Sequence, residues 1–237
     1  FTITNHCYNA SMNKKISEER FQQLKKSALG SLEDPGEAKK QLPKTDSEKK
    51  PILYLFRHTE THDNKNRIFS GRRDVELTED GKKQAEKLAQ ILKDKQIDLF
   101  MSPPLTRCRQ TLKPLMEAKP EVPYEPQKGL EERDYGDLTG KNKMKLMEEK
   151  QRETILWRRA WDYPPPNGES LKMVWENRIK PFCEKLEERM KQENINVAFA
   201  GTNNTMRLIR MYFENLSKEQ SSLVENPFGD YASYHIS

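Results

Sequence analysis

The sequence is short of cysteine and of long apolar runs, and each shortage excludes a class of protein. Its 237 residues contain three cysteines, Cys7, Cys108 and Cys183, an odd number without metal-ligand spacing. A disulfide framework is therefore not expected, and this cysteine usage favours a reducing, cytoplasmic location. No apolar run approaches the roughly 20 residues that span a bilayer, so we expect a soluble chain without a membrane partner.

The charge balance does not favour a nucleic-acid partner. Forty-two Lys and Arg residues against 37 Asp and Glu leave a net charge of only +5, and most of this excess lies in the first fifty residues. A surface that binds a polyanion needs a larger, more clustered positive charge. A few clustered arginines are still able to bind a small anion.

Composition changes near residue 50. Large apolar side chains are scarce in residues 1–50, which are rich in Lys, Glu, Ser and Gln. We interpret these residues as a charged, partly disordered extension. One short amphipathic helix is predicted at 16–29, from the spacing of Ile16, Phe21, Leu24, Ala28 and Leu29. This helix docks on the main domain, meets a partner, or has no function.

Residues 51–237 alternate between apolar strands and helices, a pattern typical of one α/β domain. Strands are predicted at 52–56, 97–101, 196–200 and 231–236, the last at a sheet edge. Helices are predicted at 78–93, at 105–116 with a break or kink at Pro114, at 141–162, around 175–190 and at 205–213. The fold class is therefore α/β, a three-layer α/β/α sandwich with a mostly parallel sheet.

Polar residues follow three of the predicted strands. Arg57 and His58 follow the first strand, Ser102 to Arg107 the second, and Thr202 to Asn204 the third. In open α/β sheets, ligands bind beyond the carboxyl ends of the strands. A histidine beside an arginine can attack a phosphoryl group there, because neutral imidazole is a nucleophile and guanidinium pairs with phosphate oxygens.

Five separated blocks resemble the histidine phosphatase superfamily. They are "RHTET" at 57–61, "SGRRDVELTEDGKKQA" at 70–85, "SPPLTRCRQT" at 102–111, "LEERDYGDLTG" at 130–140 and "NNTMR" at 203–207. Two further stretches, "GKNK" and "LWRRAWDYPPPNGESL", are similar to its phosphoglycerate mutase branch, which uses 2,3-bisphosphoglycerate. The resemblance covers about residues 51–216 and implies a phosphoglycerate mutase-like fold.

The resemblance also implies a site. His58 would be the nucleophile, Arg57 and Arg107 would hold the transferring phosphoryl group, and Glu132 would move the substrate proton. The remaining groups of a phosphoglycerate would be bound by a larger set, namely Asn64, Ser70, Gly71, Arg133, Tyr135, Lys143, Arg158, Arg159 and Asn204. The implied phosphoryl donor is 2,3-bisphosphoglycerate, the partner is a small phosphorylated metabolite, and no metal is expected.

One position departs from the family. Thr202 stands where the family has a second active-site histidine, which brings a hydrogen bond and positive charge to the phosphoryl group. Threonine offers one neutral hydrogen bond, and loss of a preorganised donor costs about 100- to 1000-fold in rate. His62 and His235 are the candidates to replace it, since His6 lies in the extension. Thr59, at a usual glycine position, is expected to narrow the phosphate loop.

Three functions remain open from the sequence. The first is a mutase that interconverts 3-phosphoglycerate and 2-phosphoglycerate through a phosphohistidine at His58, with activity reduced by Thr202. The second is a phosphomonoesterase of the same superfamily. The third is a non-catalytic homologue that binds phosphoglycerates or presents the 16–29 helix to a protein. We favour an enzyme, because folding does not require Arg57, His58, Arg107 and Glu132 together.

Overall fold

A central five-stranded sheet organises the computed structural model, which describes residues 16–33 and 41–237. The strands are β1 (Ile52–Arg57), β2 (Leu99–Ser102), β3 (Tyr124–Pro126), β4 (Val197–Gly201) and β5 (Tyr231–His235). Their order is β3-β2-β4-β1-β5, with β5 antiparallel to β1 and every other neighbouring pair parallel. The predicted mostly parallel sheet and the edge position of the last strand are therefore confirmed.

Ten helices surround the sheet in this part of the chain. They are α1 (Glu18–Glu33), α2 (His62–Lys65), α3 (Glu79–Leu92), α4 (Thr106–Ala118), α5 (Lys143–Glu149), α6 (Gln151–Arg159), α7 (Leu171–Val174), α8 (Lys180–Glu193), α9 (Asn203–Phe213) and α10 (Lys218–Ser221). A π-helical turn, Trp175–Ile179, joins α7 to α8, and a 3₁₀ turn covers Gly136–Leu138. Over the described ranges, each helix is too short or too polar to cross a bilayer.

The sheet has a core on each face. Leu53 and Leu55 of β1 pack into one apolar cluster with residues of α8 and α9. Tyr54 and Phe56 point the other way, into a cluster formed with α3 and α4. All six residues of β1 are buried, as expected for a parallel strand covered on both faces. The predicted three-layer α/β/α sandwich is thereby confirmed.

Several predicted helices have different bounds. The helix at 105–116 continues through Pro114, because Leu112 and Leu115 are buried on either side of it. The stretch 141–162 contains two helices, α5 and α6, which meet at Lys150, where φ is −143° and ψ is 61°. Strand β3 was not predicted, since it has three residues and none of them is fully buried.

The long helix around 175–190 is present but irregular. Its π-helical turn, Trp175–Ile179, lies just before Pro181. Proline has no N–H to donate, so a carbonyl in the preceding turn loses its partner and the turn widens.

Helix α3 begins where the sequence predicts. The Thr78 hydroxyl caps it by accepting from the Gly81 N–H at 2.9 Å. The stripe Ala85, Leu88, Ala89 and Leu92 is buried.

Described parts of the first fifty residues pack on the rest of the chain. The predicted helix at 16–29 is present as α1, which is longer at its carboxyl end. It buries Phe21, Leu24, Ala28 and Leu32 in a cluster with residues of α5 and α6. Further on, the Thr45 N–H donates to the Ser233 carbonyl on β5 at 3.1 Å. His6 and Cys7 lie outside the described residues.

Candidate active site

His58 stands at the carboxyl end of β1, where its backbone N–H donates to the Gly201 carbonyl of β4 at 2.9 Å. Its Nδ1 lies 2.8 Å from the Thr59 carbonyl oxygen. Because a carbonyl only accepts, Nδ1 carries the proton and Nε2 keeps its lone pair. Burial, together with Arg107 and Arg57, holds the pKa of His58 well below its usual value. The ring is therefore neutral at pH 7, and Nε2 is available as a nucleophile.

Two buried arginines flank this histidine. Arg107 donates to the carbonyls of Arg73 at 2.7 Å and Gly71 at 2.9 Å. Arg57 donates to the Asn226 carbonyl at 3.3 Å. Burial lowers the pKa of Arg57 to about 10, which still leaves it charged at pH 7. The Nε atoms of both arginines are buried without a partner among the described residues, so each has a donor to offer an anion.

The Glu132 carboxylate is held in place by three N–H donors. Its Oε1 accepts from the Arg133 backbone at 2.7 Å and from Asn204 Nδ2 at 2.9 Å, and its Oε2 accepts from the Asn204 backbone at 3.3 Å. Asn204 lies in the first turn of α9, where the helix dipole favours a negative group. Arg207 donates to Asn204 Oδ1 at 2.7 Å, which fixes the orientation of the amide.

Thr202 lies at the start of α9 with its side chain fully buried. Its hydroxyl donates to Thr205 Oγ1 at 3.0 Å, and that hydroxyl in turn donates to the Leu130 carbonyl at 3.2 Å. The neutral hydrogen bond that the sequence assigned to Thr202 is thus used within the protein. The Thr59 hydroxyl likewise has a partner within the protein, since it lies 3.4 Å from the hydroxyl of Thr111 on α4.

Neither His62 nor His235 takes the place of the second histidine. His62 is exposed on α2, whereas His58 is buried. His235 is exposed on β5, opposite Ile52, at the amino end of β1 and thus at the other edge of the sheet. Within the described part of the chain, His58 is the only histidine at this site.

A narrow pocket of about 70 Å³ lies at this edge of the sheet. Seven of the residues predicted from the sequence line it, namely Arg57, Asn64, Tyr135, Lys143, Arg158, Arg159 and Asn204. The Asn64 Oδ1 is occupied by the Thr61 hydroxyl at 2.9 Å, so only its Nδ2 remains for a ligand. These seven side chains make up most of the polar lining of the pocket.

Other predicted residues stand behind the pocket. Arg133 is fully buried and donates to the Trp157 carbonyl at 2.7 Å. Gly71 has a φ of +54° and turns its carbonyl toward Arg107. Ser70 is half-buried, and its backbone carbonyl accepts from Arg73 at 3.0 Å. Nearby, the Glu169 carboxylate accepts from the Asp134 backbone N–H at 2.9 Å.

Sequence reasoning missed several lining residues. Arg67 and Arg207 were not assigned, although Arg207 lies in a block that carries the family resemblance and interrupts an apolar helix face. Glu225 is on a loop after α10, and Ser31 and Leu32 are on α1. No local pattern links these last three to the pocket, because they reach it only through the fold.

Positive charge predominates in the pocket. Burial, followed by Arg158 and Arg57, lowers the pKa of Lys143 to about 7. Burial, followed by Arg159, lowers the pKa of Arg158 to about 9 and that of Arg207 to about 9. In all three groups burial and a neighbouring cation disfavour the charged form, and an anionic ligand would favour it.

Glu225 is the one carboxylate that lines this pocket among the described residues. Burial acts to raise its pKa, but Arg159 and Arg207 outweigh burial and hold the pKa below its usual value. Its Oε1 lies 2.6 Å from an Arg159 nitrogen. Across residues 16–33 and 41–237, no cluster of His, Cys, Asp or Glu has the composition to hold a metal ion.

Fold and site together define an α/β protein with a cationic pocket and a neutral histidine at the carboxyl ends of parallel strands. The chain belongs to the histidine phosphatase superfamily (branch 1), whose family model matches residues 53–236. The match runs from the second residue of β1 to the end of β5 and includes every pocket residue except those of α1.

Two curated relatives show what the chain is similar to. It is 38% identical over 176 residues to a 2,3-bisphosphoglycerate-dependent phosphoglycerate mutase of Parvibaculum lavamentivorans, covering 71% of this chain and 82% of the relative. It is 32% identical over 189 residues to a protein of the same name from Cytophaga hutchinsonii, covering 79% and 88%.

Solved structures show the same fold. The alpha-ribazole phosphatase of Shigella flexneri matches with a TM-score of 0.68 and 24% identity, covering 77% of this chain and 89% of that one. A mycobacterial glucosyl-3-phosphoglycerate phosphatase matches with a TM-score of 0.68 and 21% identity, covering 77% and 88%.

Proposed function

We propose that this protein is a phosphoglycerate mutase-type enzyme that interconverts 3-phosphoglycerate and 2-phosphoglycerate. The observation that carries the proposal is the division of the site into two parts. One part is the neutral His58 between Arg57 and Arg107, and the other contains Arg158, Arg159 and Lys143. A substrate that carries a transferable phosphoryl group and a second acidic group matches both parts. The names of the curated relatives support the same activity.

In this proposal, His58 Nε2 attacks the phosphorus atom. A nitrogen–phosphorus bond forms as the phosphorus–oxygen bond to the substrate breaks. Phosphoryl transfer depends mainly on alignment and on positive charge around the equatorial oxygens. The unpartnered donors of Arg57 and Arg107 supply that charge. The Thr59 carbonyl keeps the ring in the tautomer that attacks and stabilises the positive charge that develops on it.

Glu132 moves the proton of the substrate hydroxyl. When the phosphoryl group leaves His58, the carboxylate accepts the proton of the attacking hydroxyl, and it returns that proton to the alkoxide in the reverse transfer. Asn204 and the Arg133 backbone hold it in one orientation throughout. The unpaired nitrogens of the arginines fit 2,3-bisphosphoglycerate, which would supply the first phosphoryl group to His58.

The rate should be lower than for a site with two histidines. Thr202 brings neither charge nor a free hydroxyl proton, because that proton is donated to Thr205. Loss of one preorganised donor lowers the rate about 100- to 1000-fold. We therefore expect a slow enzyme in which His58 is still phosphorylated.

The test measures three quantities on the same protein sample: isomer exchange, release of inorganic phosphate, and protein mass at neutral pH after incubation with 2,3-bisphosphoglycerate. We expect one added phosphoryl group, and isomer exchange faster than phosphate release. His58→Ala should gain no phosphoryl group and should show no isomer exchange. His62→Ala is the matched control, because that histidine is exposed and outside the pocket.

The other outcomes identify the competing functions. Phosphate release well in excess of isomer exchange would indicate a phosphomonoesterase. Binding of phosphoglycerate with no change in protein mass would indicate a non-catalytic homologue. Either result would reject the mutase assignment.

A further inference from the structure

The carboxyl-terminal half of α1 lies on the arginines of the pocket. Ser31 Oγ accepts from Arg158 at 2.9 Å and from Arg159 at 2.7 Å. Its own proton goes to the Ala28 carbonyl at 3.1 Å, so toward the arginines the hydroxyl acts only as an acceptor. The Ala28 carbonyl also accepts from Arg158, at 2.8 Å. Two oxygens of α1 thus face one guanidinium group, as two oxygens of a carboxylate or phosphate would.

Two backbone carbonyls of α1 continue this pattern. The Ser27 carbonyl accepts from Arg159 at 3.1 Å, and the Leu32 carbonyl accepts from Arg67 Nε at 2.9 Å. Leu32 lies in the last turn of the helix, where carbonyls lack intrahelical partners and the helix dipole is negative. The end of α1 therefore presents partial negative charge to three cations of the pocket.

An apolar face holds α1 in this position independently of the arginines. Phe21 is 6% exposed and Leu24 is 1% exposed, and both pack in the cluster that contains Ile155 and Trp157 of α6. The Arg152 guanidinium carbon lies 4.1 Å from the centre of the Phe21 ring. The helix is part of the same chain, so it competes for the arginines at a high effective concentration.

The docked helix leaves little space. The cavity measures about 70 Å³, whereas pockets that bind small molecules commonly span about 300–1,000 Å³. Ser31 and Leu32 form part of its wall, and both lie outside residues 53–236, the part of the chain that matches the family model. This part of the pocket wall therefore comes from a helix outside the segment that the family model matches.

We propose that the end of α1 is an internal competitor for the acidic group of the substrate at Arg158 and Arg159. Docking of α1 and binding of a phosphoglycerate exclude one another, so release of the helix opens the site. The chemical class of the ligand rests on the proposed function. The competition itself requires only that an anion bind at this pair of arginines.

The first test is amide hydrogen exchange on the full chain with and without saturating 2,3-bisphosphoglycerate. We expect the amides of α1 to exchange at least about tenfold faster in the presence of the ligand, because the helix is displaced. Unchanged exchange would overturn the proposal, and slower exchange would overturn it by identifying α1 as a lid that closes over the ligand.

The second test alters the apolar anchor of α1. Leu24→Asp should undock the helix and lower the dissociation constant of 2,3-bisphosphoglycerate at least about tenfold, since affinity is reduced by the fraction of closed protein. Gln22→Asp is the matched control, because it adds the same charge on the exposed face of the helix. Ser31→Ala removes the acceptor without touching the apolar face and should strengthen binding in the same direction.

Weaker or unchanged binding by Leu24→Asp would contradict the proposal, as would absence of binding to every variant. If no variant binds the ligand, Arg158 and Arg159 do not hold an anion even when α1 is undocked. Failure of the proposed function has a different signature. If ligand and helix compete but isomer exchange is absent, the mutase assignment fails and the competition stands.

Discussion

Asn204 Nδ2 lies 2.9 Å from Glu132 Oε1, and the Asn204 backbone N–H donates to the other carboxylate oxygen at 3.3 Å. The two residues are 72 positions apart and meet where α9 begins, beside the carboxyl end of β4. Arg207 fixes the amide by donating to its oxygen at 2.7 Å. The proposed proton carrier is thus positioned by a residue of the element that follows Thr202.

Asn204→Asp tests this relationship. In this variant a second carboxylate replaces the Nδ2 donor and repels the Glu132 carboxylate at this distance. We expect kcat to fall about 100-fold at pH 7, because the proton carrier loses its orientation. Steady-state kinetics at pH 7 measure the fall. Asn215→Asp, at an exposed residue, should leave kcat unchanged. An unchanged kcat in Asn204→Asp would contradict the assigned role of Glu132.

Thr202→His should restore a charged donor at the site. We expect phosphorylation of His58 by 2,3-bisphosphoglycerate to accelerate about 100-fold or more. The same change should lower the free energy of unfolding by about 1–3 kcal/mol, because a larger side chain replaces one that is fully buried. Quenched-flow mass measurements and urea unfolding give the two values. Thr202→Phe supplies bulk without a donor and should show only the loss of stability; equal rates in both variants would contradict the prediction.

The pKa of about 7 at Lys143 predicts a pH-dependent affinity. Below pH 7 the ammonium group is protonated and attracts the anionic substrate, and above pH 7 the charge is lost. We therefore expect kcat/KM to fall as the pH rises from 6 to 8.5, mainly through KM. Lys143→Arg keeps its charge over this range and should have a flatter profile. The same fall of kcat/KM in Lys143→Arg would show that another group causes the pH dependence.

Gly81, in the first turn of α3, packs against the loop that follows the nucleophile His58. A Cβ atom there would lie 2.1 Å from the Glu60 carbonyl oxygen, two residues after His58. Gly81→Ala must therefore displace this loop, and we expect it to lower the free energy of unfolding by about 1–3 kcal/mol and to reduce kcat. Gly30→Ala is the control, because nothing lies within 4 Å of its added Cβ and helix propensity improves. Thermal unfolding compares the two, and equal melting temperatures would contradict the prediction.

The sequence by itself determined the sheet and the edge at which the site lies. The apolar runs of β1 and β4 can only be buried between two layers, and parallel strands bring their carboxyl ends together. Arg57, His58 and Thr202 therefore had to meet at one edge. The Thr78 cap and the stripe that includes Leu88 likewise depend on local chemistry and helical spacing, and both are present in the structure.

Only the tertiary structure decided what surrounds that edge. Ser31 and Arg159 are 128 residues apart, and the Ser31 hydroxyl is nonetheless 2.7 Å from the guanidinium group. Glu225 reaches the same arginine from a loop. The Thr202 hydroxyl turns toward Thr205 because burial leaves it that partner. The periodicity of a sequence indicates which side chains of one element share a face. The partner of a buried charge and the direction of a buried hydroxyl depend instead on distant segments, which meet only on folding.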